Sequence, residues 1–441
     1  MFPVVNSSSS FSSSSALYVG IDVGTSGCRA VAIDAHGSEI AAAQVAMAAP
    51  RREEAAVEQD PAVWWEALGA ALEALLAQVP RGAVKALAVD GTSGTVLVAD
   101  DQGTPLAPAL LYSDNRAIDE AERIRAAAPR ESAAHGSSGG LAKLLWLLGR
   151  IPSPARVHSP ADWLAGKLTG RFGASDANNV LKLGWDPLTQ TWPRWLDALG
   201  VPRGLLPRVI APGTVYGRLA PPMAARFGLP ADAHVVAGTT DSTAAIIATG
   251  ADRPGEAVTS LGSTLVMKVV SEHPVFSPED GVYSQPYGRH WLVGGGSNSG
   301  GAVLRQFFSD PELMDLTPRL TPDRPTGLDY YPLPAPGERF PVNDPQLAPR
   351  LTPRPADDTV FLQGMLEAMA RIEAGAYRRL VELGAPAPQC VLSAGGGARN
   401  PAWSRIREGL LGVPVRRAIH DEAAYGSALL ARRTTEADRR C

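Results

Sequence analysis

The chain has 441 residues, of which 45% are hydrophobic and 20% charged, and a formal net charge of -4. That composition is that of a globular protein with apolar material for two cores, so two domains are expected. The weak charge has no long run of one sign and excludes nucleic acid or an anionic membrane as the main partner; no apolar run reaches the roughly 18 residues of a membrane span.

Met1 to Ser15 is mostly serine. It lacks the apolar core of a signal peptide and is expected to be a disordered tail, with a remnant of a plastid-type leader as the alternative. Leu17–Val23, Cys28–Asp34 and Glu39–Ala46 read as a meander of three strands, and Pro61 to Gln78 as a helix with one apolar stripe. Val84–Val89 and Thr95–Ala99 follow as strands, then short helices at Leu141–Leu148 and Ser159–Leu168. From Trp185 to Pro230 the Pro-rich and Trp-rich sequence resists assignment. Val235–Ala237 is a strand leading to the turn Gly238–Ser242, and a small-residue helix follows. Glu256–Leu261, Gly262-Ser263 and Thr264–Val270 then repeat the strand, turn, strand plan of Leu17–Asp34, as an internal duplication would. Val293–Gly301 reads as a Gly/Ser/Asn turn before a helix Ala302–Phe308, and 316–357 as surface loops. Thr359–Leu383 is one long helix, Gln389–Ser393 a strand, and Trp403–Leu411 and Tyr425–Arg432 are helices.

Two glycine-rich turns carry the chemistry. Asp22-Val-Gly24-Thr25-Ser26-Gly27 and Ser393-Ala-Gly395-Gly396-Gly397-Ala-Arg399-Asn400 each follow an apolar strand. Successive N–H groups in such turns form an anion-binding nest, and an acidic residue at the first suggests a divalent cation beside the anion. Two such loops far apart in one chain suggest a nucleotide held between two lobes. Asp241 sits at a strand-to-helix turn, where an N-cap and a general base are both served by a carboxylate; spacing does not separate the two. Cys28, Cys390 and Cys441 show no metal-ligand spacing, which fits a reducing compartment, and Cys28 is read as a small buried hydrophobe.

Six segments in one order resemble the FGGY family of carbohydrate kinases, of the actin/Hsp70/sugar-kinase superfamily. They are the Asp22 turn, Glu58-Gln59-Asp60-Pro61 with Trp64-Trp65, Tyr112-Ser113-Asp114-Asn-Arg116, Gly238–Ser242, Thr259–Thr264 and the Gly395 turn, and they span about residues 17–432. The resemblance implies an α/β fold of two actin/Hsp70-like (ribonuclease H-like) lobes with an ATP and sugar cleft between them. The expected division is a tail over 1–15, an N-terminal lobe over 16–249, a C-terminal lobe over 250–433 and a tail over 434–441. It implies ATP and Mg²⁺, with Asp22 holding the metal and Asp241 acting as catalytic base. Phosphate binding falls to Gly24, Thr25, Ser26, Arg29, Gly262, Ser263 and Thr264, and adenosine binding to Gly395, Gly396, Gly397 and Asn400.

Substrate binding is expected from Thr92, Ser93, Asp114 and Asp241; the alternative for Asp114 and Arg116 is a structural pair. In the segment Asp90-Gly91-Thr92-Ser93-Gly94-Thr95 this chain lacks the Gln-Met-His-Gly of xylulose-type members and the Arg-Glu pair of glycerol-type members, and its small residues with an acid upstream look more like ribulose-type members. The expected reaction is therefore phosphorylation of a free ketopentose, D-ribulose first. D-xylulose, L-ribulose or another polyol is the alternative within the family, and a nucleotide-driven conformational protein the alternative outside it. Partners are expected to be a sugar and ATP only, with the chain a cytoplasmic monomer or homodimer.

Overall fold

The computed structural model describes residues 16–438, with side chains as far as Arg433. The Ser-rich segment 1–15 lies outside the described residues, as do 439–441.

The chain builds two six-stranded sheets on one plan. The first contains β1 (Leu17–Val23), β2 (Gly27–Ile33), β3 (Glu39–Ala46), β4 (Val84–Gly91), β5 (Val215–Arg218) and β6 (His234–Thr240), in the order β5-β6-β4-β1-β2-β3. The second contains β7 (Glu256–Leu261), β8 (Leu265–Ser271), β9 (Tyr283–Tyr287), β10 (His290–Ser297), β11 (Cys390–Ala394) and β12 (Val415–Arg417), in the order β9-β10-β8-β7-β11-β12. In each, an antiparallel meander starts from a strand that also pairs in parallel with a later one: β1 with β4, and β7 with β11. The strand, turn, strand repeat in the sequence is thus the visible part of a duplicated sheet. This mixed α/β two-domain architecture is the fold class expected.

Six helices pack on these sheets. Helix α1 (Pro61–Leu76) starts where Asp60 accepts from the Ala62 N–H and Pro61 occupies the first turn. Its buried stripe, Trp64, Leu68, Leu72 and Leu75, forms the first core with β1, β2 and α2 (Pro160–Thr169). Trp64 is core, edge-on to Trp163, and Trp65 lies near Lys167 and Arg226. Helix α4 (Asp358–Glu382) buries Phe361, Met365 and Met369 in the second core, where Trp403 of α5 (Pro401–Leu411) joins it.

The third cluster lies between the lobes. Helices α3 (Asp241–Thr249) and α6 (Ala423–Asp438) pack together, with Val236 of one sheet and Val258, Val270 and Leu292 of the other. Glycines make this approach possible. A Cβ on Gly20 of β1 would stand 1.9 Å from the Ala424 carbonyl of α6, and one on Gly426 only 1.8 Å from the Ala244 carbonyl of α3. The last helix, allotted by chain order to the second lobe, therefore lies against the first sheet, and it runs on to Asp438, into the segment expected as a tail.

Two sequence expectations change. The first half of Val293–Gly301 is strand: Gly294, Gly295 and Gly296 of β10 pair with β8, and Gly294 also with Tyr283 of β9. These glycines serve packing, since a Cβ on Gly294 would meet the Met267 carbonyl at 1.9 Å and one on Gly295 the Phe340 ring. The helix expected over Ala302–Phe308 is a short one, Gly301–Leu304.

Candidate active site

The carboxyl ends of β1, β4 and β6 carry three carboxylates to one place. Asp22 and Asp90 are register partners on β1 and β4, and Gly91 pairs with Thr240, one residue before Asp241. The sequence points to Asp22 and Asp241 as catalytic and to Asp90 only as the acid that opens the sugar-side segment Asp90–Thr95. Asp90 is fully buried and accepts a hydrogen bond from Ser427 of α6, a residue 337 positions away.

The N-cap of α3 is Thr240, whose hydroxyl accepts from the Thr243 N–H. Asp241 is the first helical residue, so its carboxylate is not spent on capping; it accepts from the Ser242 N–H at 2.6 Å. Burial raises the Asp241 carboxyl to about 6, helped by the Asp22 charge and opposed by the Ser242 N–H, Lys182 and the Ser93 N–H. Burial also raises Asp22 and Asp90, Asp90 the more because it is fully enclosed and faces the Asp22 charge. The two side chains hydrogen-bond each other, which lowers Asp22 and raises Asp90, and Asp22 Oδ1 and Asp90 Oδ1 are buried with no other partner. A cation beside them fits that donor set: it supplies the charge that two facing carboxylates lack. Among the described residues no group of three or more His, Cys, Asp or Glu gathers as a metal cluster. Mg²⁺ needs none, since it keeps several waters and takes one or two carboxylates with substrate phosphates.

The glycine loops lie at equivalent strand ends. Gly24 closes the first turn, its N–H donating to the Gly27 carbonyl at 3.0 Å. Thr25 is half-buried and Ser26 exposed. Arg29 is ion-paired with Glu422 at 2.6 Å, just ahead of α6, and so ties the first loop to the chain leading into that helix. In the second lobe Gly262, Ser263 and Thr264 turn from β7 into β8, braced from behind by Gly301, which donates to the Gly262 carbonyl at 2.9 Å. Gly395 and Gly397 flank Leu261 at the end of β7, leaving no room for a Cβ, whereas Gly396 faces open space. Gly395 has a φ of +82° and donates to Asp421. Beneath these loops Thr259 and Ser393, register partners on β7 and β11, are tied to a fully buried Arg407–Glu373 pair.

Several predicted residues are engaged within the protein. Both ends of the Asn400 side chain are used: Oδ1 caps α5 by accepting from the Trp403 N–H, and Nδ2 donates to Thr317. Asp114 is fully buried, accepting from the Val57 N–H and from Arg116, which also reaches Glu58; this is the structural pair. The Thr92 hydroxyl bonds that of Thr95 at 2.6 Å, leaving Ser93 as the half-buried hydroxyl of that loop. Cys28 is buried in β2 and its thiol is pushed up by that burial.

Two lysines that no motif announced join the carboxylates. Lys182 lies against Gly94: a Cβ there would stand 3.0 Å from its Cδ and 3.5 Å from its Nζ. Burial lowers the Lys182 ammonium, and the charge of Asp241 opposes this. Lys268 rises from the face of the second sheet next to Gly294, over the ring of Tyr283 at 4.0 Å. Its closest acceptor is the Gly294 carbonyl at 3.5 Å, and burial brings its ammonium down to about 7, with Lys182 a further cause. The first lobe thus brings a carboxylate of intermediate acidity and a lysine together, and the second brings a lysine and a tyrosine.

Comparison with known proteins agrees with this arrangement. The model of the FGGY family of carbohydrate kinases, N-terminal domain, matches residues 17–248, and that of the C-terminal domain matches 257–435. The chain is 31% identical to a xylulose kinase of Streptomyces coelicolor over 90% of its own length and 84% of that protein's. It is 32% identical to a xylulose kinase of Escherichia coli over 61% of its length, an alignment spanning 57% of that relative. A crystal structure of a "xyloylose kinase" from Brucella ovis superposes with a TM-score of 0.88 at 25% identity, covering 96% of this chain and 91% of the other.

Proposed function

This chain belongs to the FGGY family of carbohydrate kinases and is an ATP-dependent sugar kinase; we propose that its acceptor is a free ketopentose, D-ribulose before D-xylulose. Asp241 takes the proton of the terminal hydroxyl as that oxygen attacks the γ-phosphoryl group. The loops at Gly24–Ser26 and Gly262–Thr264 hold the triphosphate from opposite sides, and Gly395–Gly397 accept the adenosine where Gly396 leaves open space. Asp22 holds Mg²⁺, through its unpartnered oxygen or an intervening water. The ion supplies charge neutralisation on the phosphates. Asp90, fixed by Ser427, orients Asp22 across the β1–β4 pair.

The observation that carries the choice of acceptor is the packing of Lys182 on Gly94. Where xylulose-type members carry a histidine, this chain has a glycine, and its space is taken by an ammonium beside the base. A site built on hydrogen bonds to particular hydroxyls discriminates epimers more sharply than an apolar one. D-ribulose and D-xylulose differ only at carbon 3. A D-xylulose kinase is the second reading, favoured by the names of the relatives above. A coupled ADP-release assay over D-ribulose, D-xylulose, L-ribulose and glycerol tests the proposal. The expected kcat/KM ratio for D-ribulose over D-xylulose is about tenfold or more, the scale of one hydrogen bond. A ratio below one overturns the choice of acceptor.

A further inference from the structure

A second cavity lies outside the catalytic cleft. It encloses about 570 Å³, and none of Asp22, Asp90, Asp241 or the three glycine loops lines it. Its walls come from both lobes: the Trp185–Pro212 part of the first, the β9–β10 turn of the second, and the inter-lobe helices α3 and α6. That volume is in the range of small-molecule sites.

The lining has a definite chemical character. Arg208, Arg289 and Arg433 stand in it, with no Asp or Glu. None of the three makes an ion pair among the described residues, and Arg289 donates only to His290. Trp185, Trp192 and Tyr287 supply flat apolar faces. Asn178 joins the two sides of this wall: it is 2% exposed, and its Nδ2 donates to Thr239 at 3.0 Å and to the Pro286 carbonyl at 3.1 Å.

We propose that this cavity is a second ligand site, for a small phosphorylated metabolite whose phosphate meets the arginines and whose carbon chain or base lies on the indoles. Guanidinium groups suit phosphate because their planar fork matches its oxygens. Aromatic faces suit the C–H face of a sugar chain or the plane of a base. Ribulose 5-phosphate and AMP share this chemistry from two sources, the kinase's own class of product and the nucleotide pool.

The test is isothermal titration of each, and of inorganic phosphate, into the full chain with its catalytic cleft saturated by a non-hydrolysable ATP analogue and the sugar. One equivalent of ribulose 5-phosphate or AMP is expected to bind, and the tighter of the two identifies the source. Arg208→Glu/Arg433→Glu is expected to weaken binding at least tenfold with kcat unchanged, because neither residue touches the catalytic cleft. Trp192→Phe is expected to remove part of the fluorescence change on binding. The proposal is overturned by no binding with the cleft filled, by unchanged affinity in the double variant, or by inorganic phosphate binding as tightly as either probe.

Discussion

Replacing Lys182 with methionine separates the two things this lysine does. As the proposed base, Asp241 must be ionised to accept a proton, and burial raises its carboxyl to about 6. In the native protein kcat/KM is therefore expected to fall about tenfold per pH unit below that value, with about nine-tenths of the sites competent at pH 7. Lys182 is one of the groups that hold Asp241 down against burial. Methionine keeps the length and burial of the side chain and removes its charge. Two unit charges on the order of 6 Å apart interact by about 2–3 kcal/mol at an effective dielectric of about 20, and partial solvent access reduces this to about one pKa unit, or about 1.4 kcal/mol. The sign is fixed: losing a cation raises a carboxyl. The acid limb of kcat/KM should move from about 6 to about 7, so the variant loses about twofold at pH 7 and about tenfold at pH 5 relative to the native protein. Any lost contact with the sugar appears as a factor that persists at pH 9, where Asp241 is ionised in both. Initial-rate profiles from pH 5 to 9 at saturating ATP measure both effects. An acid limb that stays in place, or moves to lower pH, refutes the electrostatic link.

Asp241→Asn should lower kcat by about 10² or more, while nucleotide affinity by titration stays within about twofold; near-normal turnover rules out the base. Arg407→Met leaves the Glu373 carboxylate buried without its partner and should cost about 3–5 kcal/mol in denaturant unfolding, largely recovered by adding Glu373→Gln. If the double variant is no more stable than the single, the cost does not come from the stranded charge. Gly426→Ala forces α6 away from the Ala244 carbonyl and should cost about 1–3 kcal/mol. An unchanged melting temperature would mean that the two helices separate without resistance.

The sequence made the strand ends legible because their signals are local. A run such as Leu17–Val23 ending in Asp-x-Gly-Thr announces a strand and a phosphate turn within a dozen residues, and β1, β2, β7, β8 and β11 fall within a residue or two of expectation. It was silent where function depends on distant contacts. Asp90 reads as the acid that opens the sugar-side segment, and its pairing with Asp22 is not visible until Ser427, at the other end of the chain, is folded against it. Lys182 lies in a stretch whose turns have no period, and Lys268 is a lysine at an inward position of a strand. Glycine misled in one place, because the same residue that makes a turn also permits a close backbone approach. Gly294 and Gly295 were read as a loop but sit in a central strand, against the Met267 carbonyl and the Phe340 ring. Asn400 misled differently: a motif places a residue without telling which side-chain atoms remain free, and here the helix cap uses both ends.

The duplicated sheets explain why the two halves of the site differ in charge. In each lobe the first strand and its parallel neighbour end together at the cleft, but only the first lobe loads those ends with carboxylates. The second ends them in Gly262 and Gly395, and the buried charge beneath is already neutralised by the Arg407–Glu373 pair. In the proposed mechanism the metal and proton chemistry is thereby confined to the first lobe, and the second contributes backbone donors. What joins them is α6, which supplies Ser427 to Asp90 and is preceded by Glu422, the partner of Arg29. A change in the angle between lobes must pass through that helix, because Gly20 and Gly426 leave it no clearance. Movement between the lobes is thus mechanically tied to the placement of Asp22 and of Asp90, which Ser427 of α6 holds.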